Sequence, residues 1–211
     1  MYEKEHRSRD YYERRAPIYD WANRIAALLR GTSPTKERSM PVRRLGLRAG
    51  QRVLEVAVGT GTNLPLIAEH AGPYGRIVGL DISSAMLSRC RQKMQRHHVR
   101  ADLIEGEAAH LPFPDGTFDA VLHHGGFAEF GDKRAGVEEM MRVVRAAGKV
   151  VICDIGIPAD RPLRLVNRLL LMLQPAYRQT PPVDFVPPAA KDVRLSWFAR
   201  DAWYMIEFVK P

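Results

Sequence analysis

Val53-Leu-Glu-Val-Ala-Val-Gly59-Thr-Gly61-Thr-Asn63 runs from an apolar strand straight into a glycine turn, and Arg76-Ile-Val-Gly-Leu-Asp81 follows as a second apolar run that closes on an acid. A parallel strand buried on both faces needs such a run. The turn after it needs residues without bulk, so that backbone N–H groups can approach a ligand, and an acid at the end of the next strand suits a ribose diol. The stretch therefore predicts an open α/β sheet with a nucleotide-type ligand at the strand ends.

The glycine spacing separates two kinds of ligand. A dinucleotide turn is G-x-G-x-x-G, and that pattern falls on Ala57, Gly59 and Thr62, which leaves two of its glycines missing. An acid, Glu55, stands in the strand instead. A carboxylate there repels pyrophosphate but accepts hydrogen bonds from an ammonium group. S-adenosylmethionine carries both that ammonium and a ribose.

From Arg52 onward strands are expected at 52–58, 76–81, 101–106, 118–123 and 149–155, with helices near 62–71, 83–97 and 133–146 between them. This alternation predicts a parallel sheet with helices on both faces. Val193-Arg-Leu-Ser-Trp-Phe-Ala199 and Ala202-Trp-Tyr-Met-Ile-Glu-Phe-Val209, joined by Arg200-Asp201, read as a terminal hairpin. Ile18, Trp21, Ala22, Ile25, Leu28 and Leu29 recur at helical spacing and predict an amphipathic helix over 18–30, behind a break at Pro17. The domain reading is an N-terminal helical lid and basic linker, 1–49, followed by a ligand-binding domain, 50–211.

Composition narrows the function classes. At 211 residues and 45% hydrophobic the chain suits one substantial core. Cys90 and Cys153 lie far apart and suggest neither a disulfide framework nor a zinc site, so no metal is expected. The N-terminus has no apolar signal segment and Leu169-Leu-Leu-Met-Leu173 is too short to span a bilayer, which places the protein in the cytoplasm or on a membrane's cytoplasmic face. The net charge of +8 implies affinity for polyanions, with Lys36, Arg38, Arg43, Arg44, Arg48 and Arg52 set against Glu37 alone. In 161–178, Arg161, Arg164 and Arg168 share one side of a helical wheel while Leu163, Val166, Leu170 and Leu173 share the other. That face and the 18–30 helix are both expected to dock on anionic lipid.

Glu55-Val-Ala-Val-Gly59-Thr-Gly61 resembles the first motif of the class I S-adenosylmethionine-dependent methyltransferases, E/D-x-G-x-G-x-G, with Ala57 in place of its first glycine. The resemblance covers 50–211. It implies an α/β Rossmann-like fold with a seven-stranded, mostly parallel sheet, a C-terminal antiparallel hairpin and an N-terminal amphipathic helical lid. It also implies an enzyme that uses S-adenosylmethionine and releases S-adenosylhomocysteine. Cofactor contacts are then expected at Tyr19, Glu55, Ala57, Gly59, Thr60, Gly61, Asn63, Asp81, Ile82, Met86, Glu107, Ala108 and His123. Adjacent strand residues face opposite sides, so His123 and His124 should not both face the cleft.

Tyr11, Tyr12 and Ala16-Pro-Ile-Tyr19-Asp20 are similar to the lipid- and quinone-methylating members, and together with Val53–Pro65 and Leu122-His-His-Gly-Gly126 the nearest likeness is to the bacterial phospholipid N-methyltransferases. The likeness to bacterial phosphatidylethanolamine N-methyltransferases implies methylation of a phospholipid head-group amine on the way to phosphatidylcholine. A peripheral monomer on the inner face of the bacterial cytoplasmic membrane is expected, with phospholipid and an anionic membrane surface as partners and no nucleic acid. Tyr19, His124 and Tyr177 are the expected groups for holding or deprotonating the acceptor, Tyr19 first. C-methylation of a ubiquinone or menaquinone precursor is the alternative, and a basic RNA-binding protein on the same fold is a second.

Overall fold

The computed structural model describes residues 13, 19–158, 160, 162, 165, 168, 172 and 178–211. The two N-terminal helices are α1 (Tyr19–Leu29) and α2 (Pro34–Arg44). Then follow β1 (Arg52–Val56), α3 (Leu64–Ala71), β2 (Arg76–Asp81), α4 (Ser84–His97), β3 (Asp102–Glu105) and β4 (Phe118–His124). The chain continues with α5 (Lys133–Val143), β5 (Val144–Ile155), β6 (Lys191–Phe198) and β7 (Trp203–Val209). The seven strands lie in the order β3-β2-β1-β4-β5-β7-β6, the first five parallel. β7 runs antiparallel to both β5 and β6.

Burial explains why the apolar runs became parallel strands. Val53 packs with Ile67, Cys90 and Trp203 on one face of the sheet, while Leu54 and Val56 pack with Phe118, Met140 and Tyr204 on the other. The register Val56↔Leu80 and Val56↔His123 brings the carboxyl ends of β1, β2 and β4 to one edge. Ligands of open α/β sheets bind outside that edge, where the connecting loops diverge.

Three segments differ from their expected form. The basic stretch taken as part of a linker contains α2, with Ser33 as N-cap (Lys36 N–H donates to its Oγ, 3.3 Å) and Pro34 in the first turn. Its apolar periodicity is weak, yet Val42 and Leu45 enter the core. The helix expected to reach 146 stops at Val143, because Val144 is extended, buried and paired with Phe118. The hairpin turn is wider than Arg200-Asp201, since Ala199, Arg200 and Asp201 all have positive φ. The amphipathic reading of 161–178 rests on Arg161, Leu163, Arg164, Val166, Leu170 and Leu173, which lie outside the described residues; so do Pro17, Ile18 and Tyr177. Among the described residues no helix is long and apolar enough to cross a membrane.

Candidate functional site

β1 ends at Val56 and the chain turns through Ala57 at φ 58°, Gly59 at 55° and Gly61 at 74°. A left-handed residue with a Cβ costs roughly 1 kcal/mol, so Ala57 holds a conformation better suited to the glycine it replaces. Gly61 must be glycine for a different reason: a Cβ there would collide with Cys90 Sγ on α4. At Gly59 a Cβ would meet nothing within 4 Å, so the loop's backbone borders open space.

That space is a pocket along the strand ends. Ala57, Gly59, Asp81, Ile82 and Met86 line it together with Glu107 and Ala108. The structure therefore brings seven of the sequence-derived positions around one cavity. It also adds Gly125, Gly126 and Phe130, which close the wall past β4. The Gly125-Gly126 pair directly after a buried strand was a visible signal for that wall; Phe130 had none.

Asp81 organises the loop. Its Oδ2 accepts the Gly59 N–H at 2.7 Å and its Oδ1 the Ser83 N–H at 3.0 Å. Burial pushes its carboxyl up to about 6 even though these backbone donors favour the charged form, so it is ionised at neutral pH. An ionised acid at the loop, a second acid at Glu107 and an apolar wall of Leu80, Ile82 and Met86 fit the diol, amino group and ring of an adenosine. The donor set thus suits S-adenosylmethionine.

Glu55 and Asn63, both expected at the cofactor, are fully buried and do not line the pocket. Asn63 Nδ2 donates to Glu55 Oε1, while Glu55 Oε2 is buried with no hydrogen-bond partner among the described residues. Burial raises the Glu55 carboxyl to about 8, against the opposing influence of Asn63 and Arg38. Arg38, from α2, donates to Asn63 Oδ1 at 3.1 Å and stands 3.4 Å from His124 Nδ1. No local pattern marked Arg38, because only the docking of α2 on β4 brings it there.

The two histidines separate as strand geometry requires. His123 packs on Phe127 and Phe130, and its Nδ1 donates to the Val56 carbonyl at 3.0 Å. Burial lowers its pKa to about 4, so the neutral ring has a bare Nε2. His124 faces the opposite side against the Trp203 ring, and burial first, then the Arg38 charge, holds it well below the ordinary value. A guanidinium only donates, so His124 Nδ1 accepts from Arg38 and the ring proton sits on Nε2. That Nε2 has no partner among the described residues.

Asp154 near the end of β5 is a supporting residue that the sequence reading missed. Buried, with its pKa raised by burial to about 6, it accepts the Phe127 N–H at 2.7 Å and fixes the turn after β4. An acid inside the apolar run of β5 was its only signal. Tyr19 opens α1; its side chain, and the whole of Tyr177, lie outside the described residues. Thr60 tops the loop and is bound by α1. Among the described residues no group of three or more His, Cys, Asp or Glu could hold a metal ion.

Residues 53–148 match a family described as a methyltransferase domain. The demethylmenaquinone methyltransferase of Geobacillus sp. strain WCH70 is 35% identical over 75% of this chain and 67% of its own. The ubiquinone/menaquinone biosynthesis C-methyltransferase UbiE of Geobacter sp. strain M21 is 35% identical over 74% of this chain and 66% of its own. The chain thus spans about two thirds of the length of these relatives. Among solved structures, a phosphoethanolamine N-methyltransferase 2 of Haemonchus contortus with S-adenosyl-L-methionine superposes with a TM-score of 0.74 at 16% identity, covering 97% of this chain and 60% of that one. That is a likeness of fold alone. The expectation of phosphatidylethanolamine N-methylation, with phospholipid and an anionic membrane surface as partners, is overturned by the sequence relatives, whose names are those of quinone methyltransferases. The phospholipid reading had rested on short stretches, Tyr11-Tyr12, Ala16–Asp20, Val53–Pro65 and Leu122–Gly126, whereas the identity to the quinone methyltransferases runs over about three quarters of the chain.

Proposed function

The chain belongs to the class I S-adenosylmethionine-dependent methyltransferases, and from that premise we propose that it methylates a ring carbon of a demethylated quinone precursor. The observation that carries the reading is identity of 33–37% with demethylmenaquinone and UbiE-type methyltransferases over about three quarters of the chain. The cofactor supplies a methyl group on a sulfonium that is already a good electrophile. Much of the acceleration then comes from alignment and exclusion of water, an effect worth roughly 7–11 kcal/mol when geometry is good.

A ring carbon attacks well once the neighbouring hydroxyl has lost its proton, so the acceptor side must tolerate an anionic oxygen. His124 immediately precedes the pocket-lining Gly125; its Nδ1 accepts from the Arg38 cation, and its buried Nε2–H has no partner among the described residues. A neutral donor backed by a guanidinium suits an oxyanion. It does not suit a cationic head group. In this reading His124 is the group proposed to donate to the acceptor oxygen.

The test is label transfer from methyl-labelled S-adenosylmethionine to two acceptors in parallel, a demethylated naphthoquinol and phosphatidylethanolamine vesicles, with cofactor binding checked by calorimetry. Label on the naphthoquinol ring is the expected result. Bound cofactor with no ring methylation would overturn the reading, whatever happens in the lipid arm.

A further inference from the structure

The first turn of α1 is held to the cofactor loop by a polar clasp that no part of the chemistry above uses. Thr60, between the two glycines of the loop, donates from Oγ1 to Asp20 Oδ1 at 2.6 Å. Lys93, on α4, donates from Nζ to Asp20 Oδ2 at 2.8 Å, to Thr60 Oγ1 at 3.0 Å and to Thr62 Oγ1 at 2.9 Å. One ammonium thus uses three donors to join α1, the glycine loop and α4 at a single point. Glu13 reaches the same rim, accepting from Ser84 Oγ at 3.1 Å beside the pocket-lining Ile82 and Met86.

The rest of α1 shows why this point matters. Its buried contacts are at the C-terminal end, where Ala27 is enclosed and Arg30, just past the helix, pairs with Glu37. Trp21, Ile25, Leu28 and Leu29 are exposed. Among the described residues the N-terminal half therefore has little apolar hold on the body, and the clasp, whose Asp20 and Lys93 side chains are 49% and 21% exposed, ties it to the loop. Interactions of that kind are weak and reversible. They suit a contact that must open.

We propose that Lys93 is a positioning residue of the cofactor site: by clamping Asp20 of α1 onto the Gly59-Thr60-Gly61 loop, it sets how long S-adenosylmethionine stays bound. This stands on the cofactor and is independent of the identity of the acceptor. Thr60 is the hinge of the contact, because a hydroxyl both donates and accepts. With the charges exchanged, it can donate to a carboxylate at 93 and accept from an ammonium at 20.

The experiment measures cofactor dissociation by stopped flow and hydrogen exchange of 19–29 in Lys93→Met, Asp20→Asn and the exchanged double variant Asp20→Lys/Lys93→Asp. Each single change is expected to speed dissociation about fivefold, the upper end for an exposed ion pair, and to raise exchange in α1 while leaving β1 and β4 protected. The double variant should recover at least half of the loss. Unchanged dissociation in both single variants would overturn the proposal, and so would loss in both without recovery in the exchanged pair. A residue that only supports the fold would lower the melting temperature and gain nothing from the exchange.

Discussion

Asp81 ties the loop's conformation to its charge. Its bonds from the Gly59 and Ser83 N–H groups require lone pairs on both oxygens, and protonation takes part of that capacity away. Because burial has raised its pKa to about 6, the charged form dominates above that value and is lost below it. Cofactor affinity is therefore expected to fall as pH drops from 7 through 6 to 5, in calorimetric titrations. Asp81→Asn should bind more weakly by about 1.5–3 kcal/mol at pH 7, the range for hydrogen bonds to a charged group, and should lose most of the pH dependence. An unchanged slope in that variant would assign the titration to another group.

Between elements, the contact with the most at stake is Arg30 with Glu37. Arg30 Nε and Nη2 donate to the two carboxylate oxygens at 2.7 and 2.8 Å, and both side chains are 5% exposed. The pair fixes the end of α1 to α2, and Arg30 also lies over the Trp203 ring. Buried pairs of this kind add little net stability over an apolar replacement, but removing one partner strands the other. Glu37→Gln is expected to cost about 3 kcal/mol in urea unfolding, and Glu37→Leu with Arg30→Met much less. Such a pair also fixes where α2 lies, and with it where Arg38 meets Asn63 and His124.

For the molecule as a whole, the buried acid in β1 sets an unusual pH response. Glu55 has a folded pKa of about 8 against an ordinary 4.5, so between those values the folded state holds a proton that the unfolded state has released. The stability of the cofactor-free protein therefore rises as pH falls from 8 to 6.5, by on the order of 2 kcal/mol, and Glu55→Gln should flatten the rise. Below 6.5 the sign is opposed by His123 and His124, whose folded values are depressed and which take up protons more readily when unfolded. Urea midpoints at pH 6.5, 7.2 and 8 check this; a midpoint that climbs with pH over that range would refute it.

The strands, the parallel sense of most of the sheet and the glycine loop were legible in the sequence alone, because apolar runs, their alternation with helices and the turn residues are local to the chain. The order of the strands is instead a long-range pairing. Apolar runs of five or six residues cannot remain in water. Gly59 and Gly61 supply backbone conformations that other residues adopt at a cost, and Asp81 closes its own strand. Hence seven predicted cofactor positions surround one pocket. What tertiary structure decided depends on groups brought together across long stretches of chain. Arg38 meets His124 across 86 positions and Lys93 meets Asp20 across 73, and neither pairing leaves a periodic trace. The helix that carries Arg38 was hidden because its eleven residues are largely polar, four of them basic, and include Pro41; it holds its place through Val42 and the adjoining Leu45, which are buried in the core. Methyl-acceptor chemistry falls on this second side of the division, since it is set by side chains that converge only after the helices have docked.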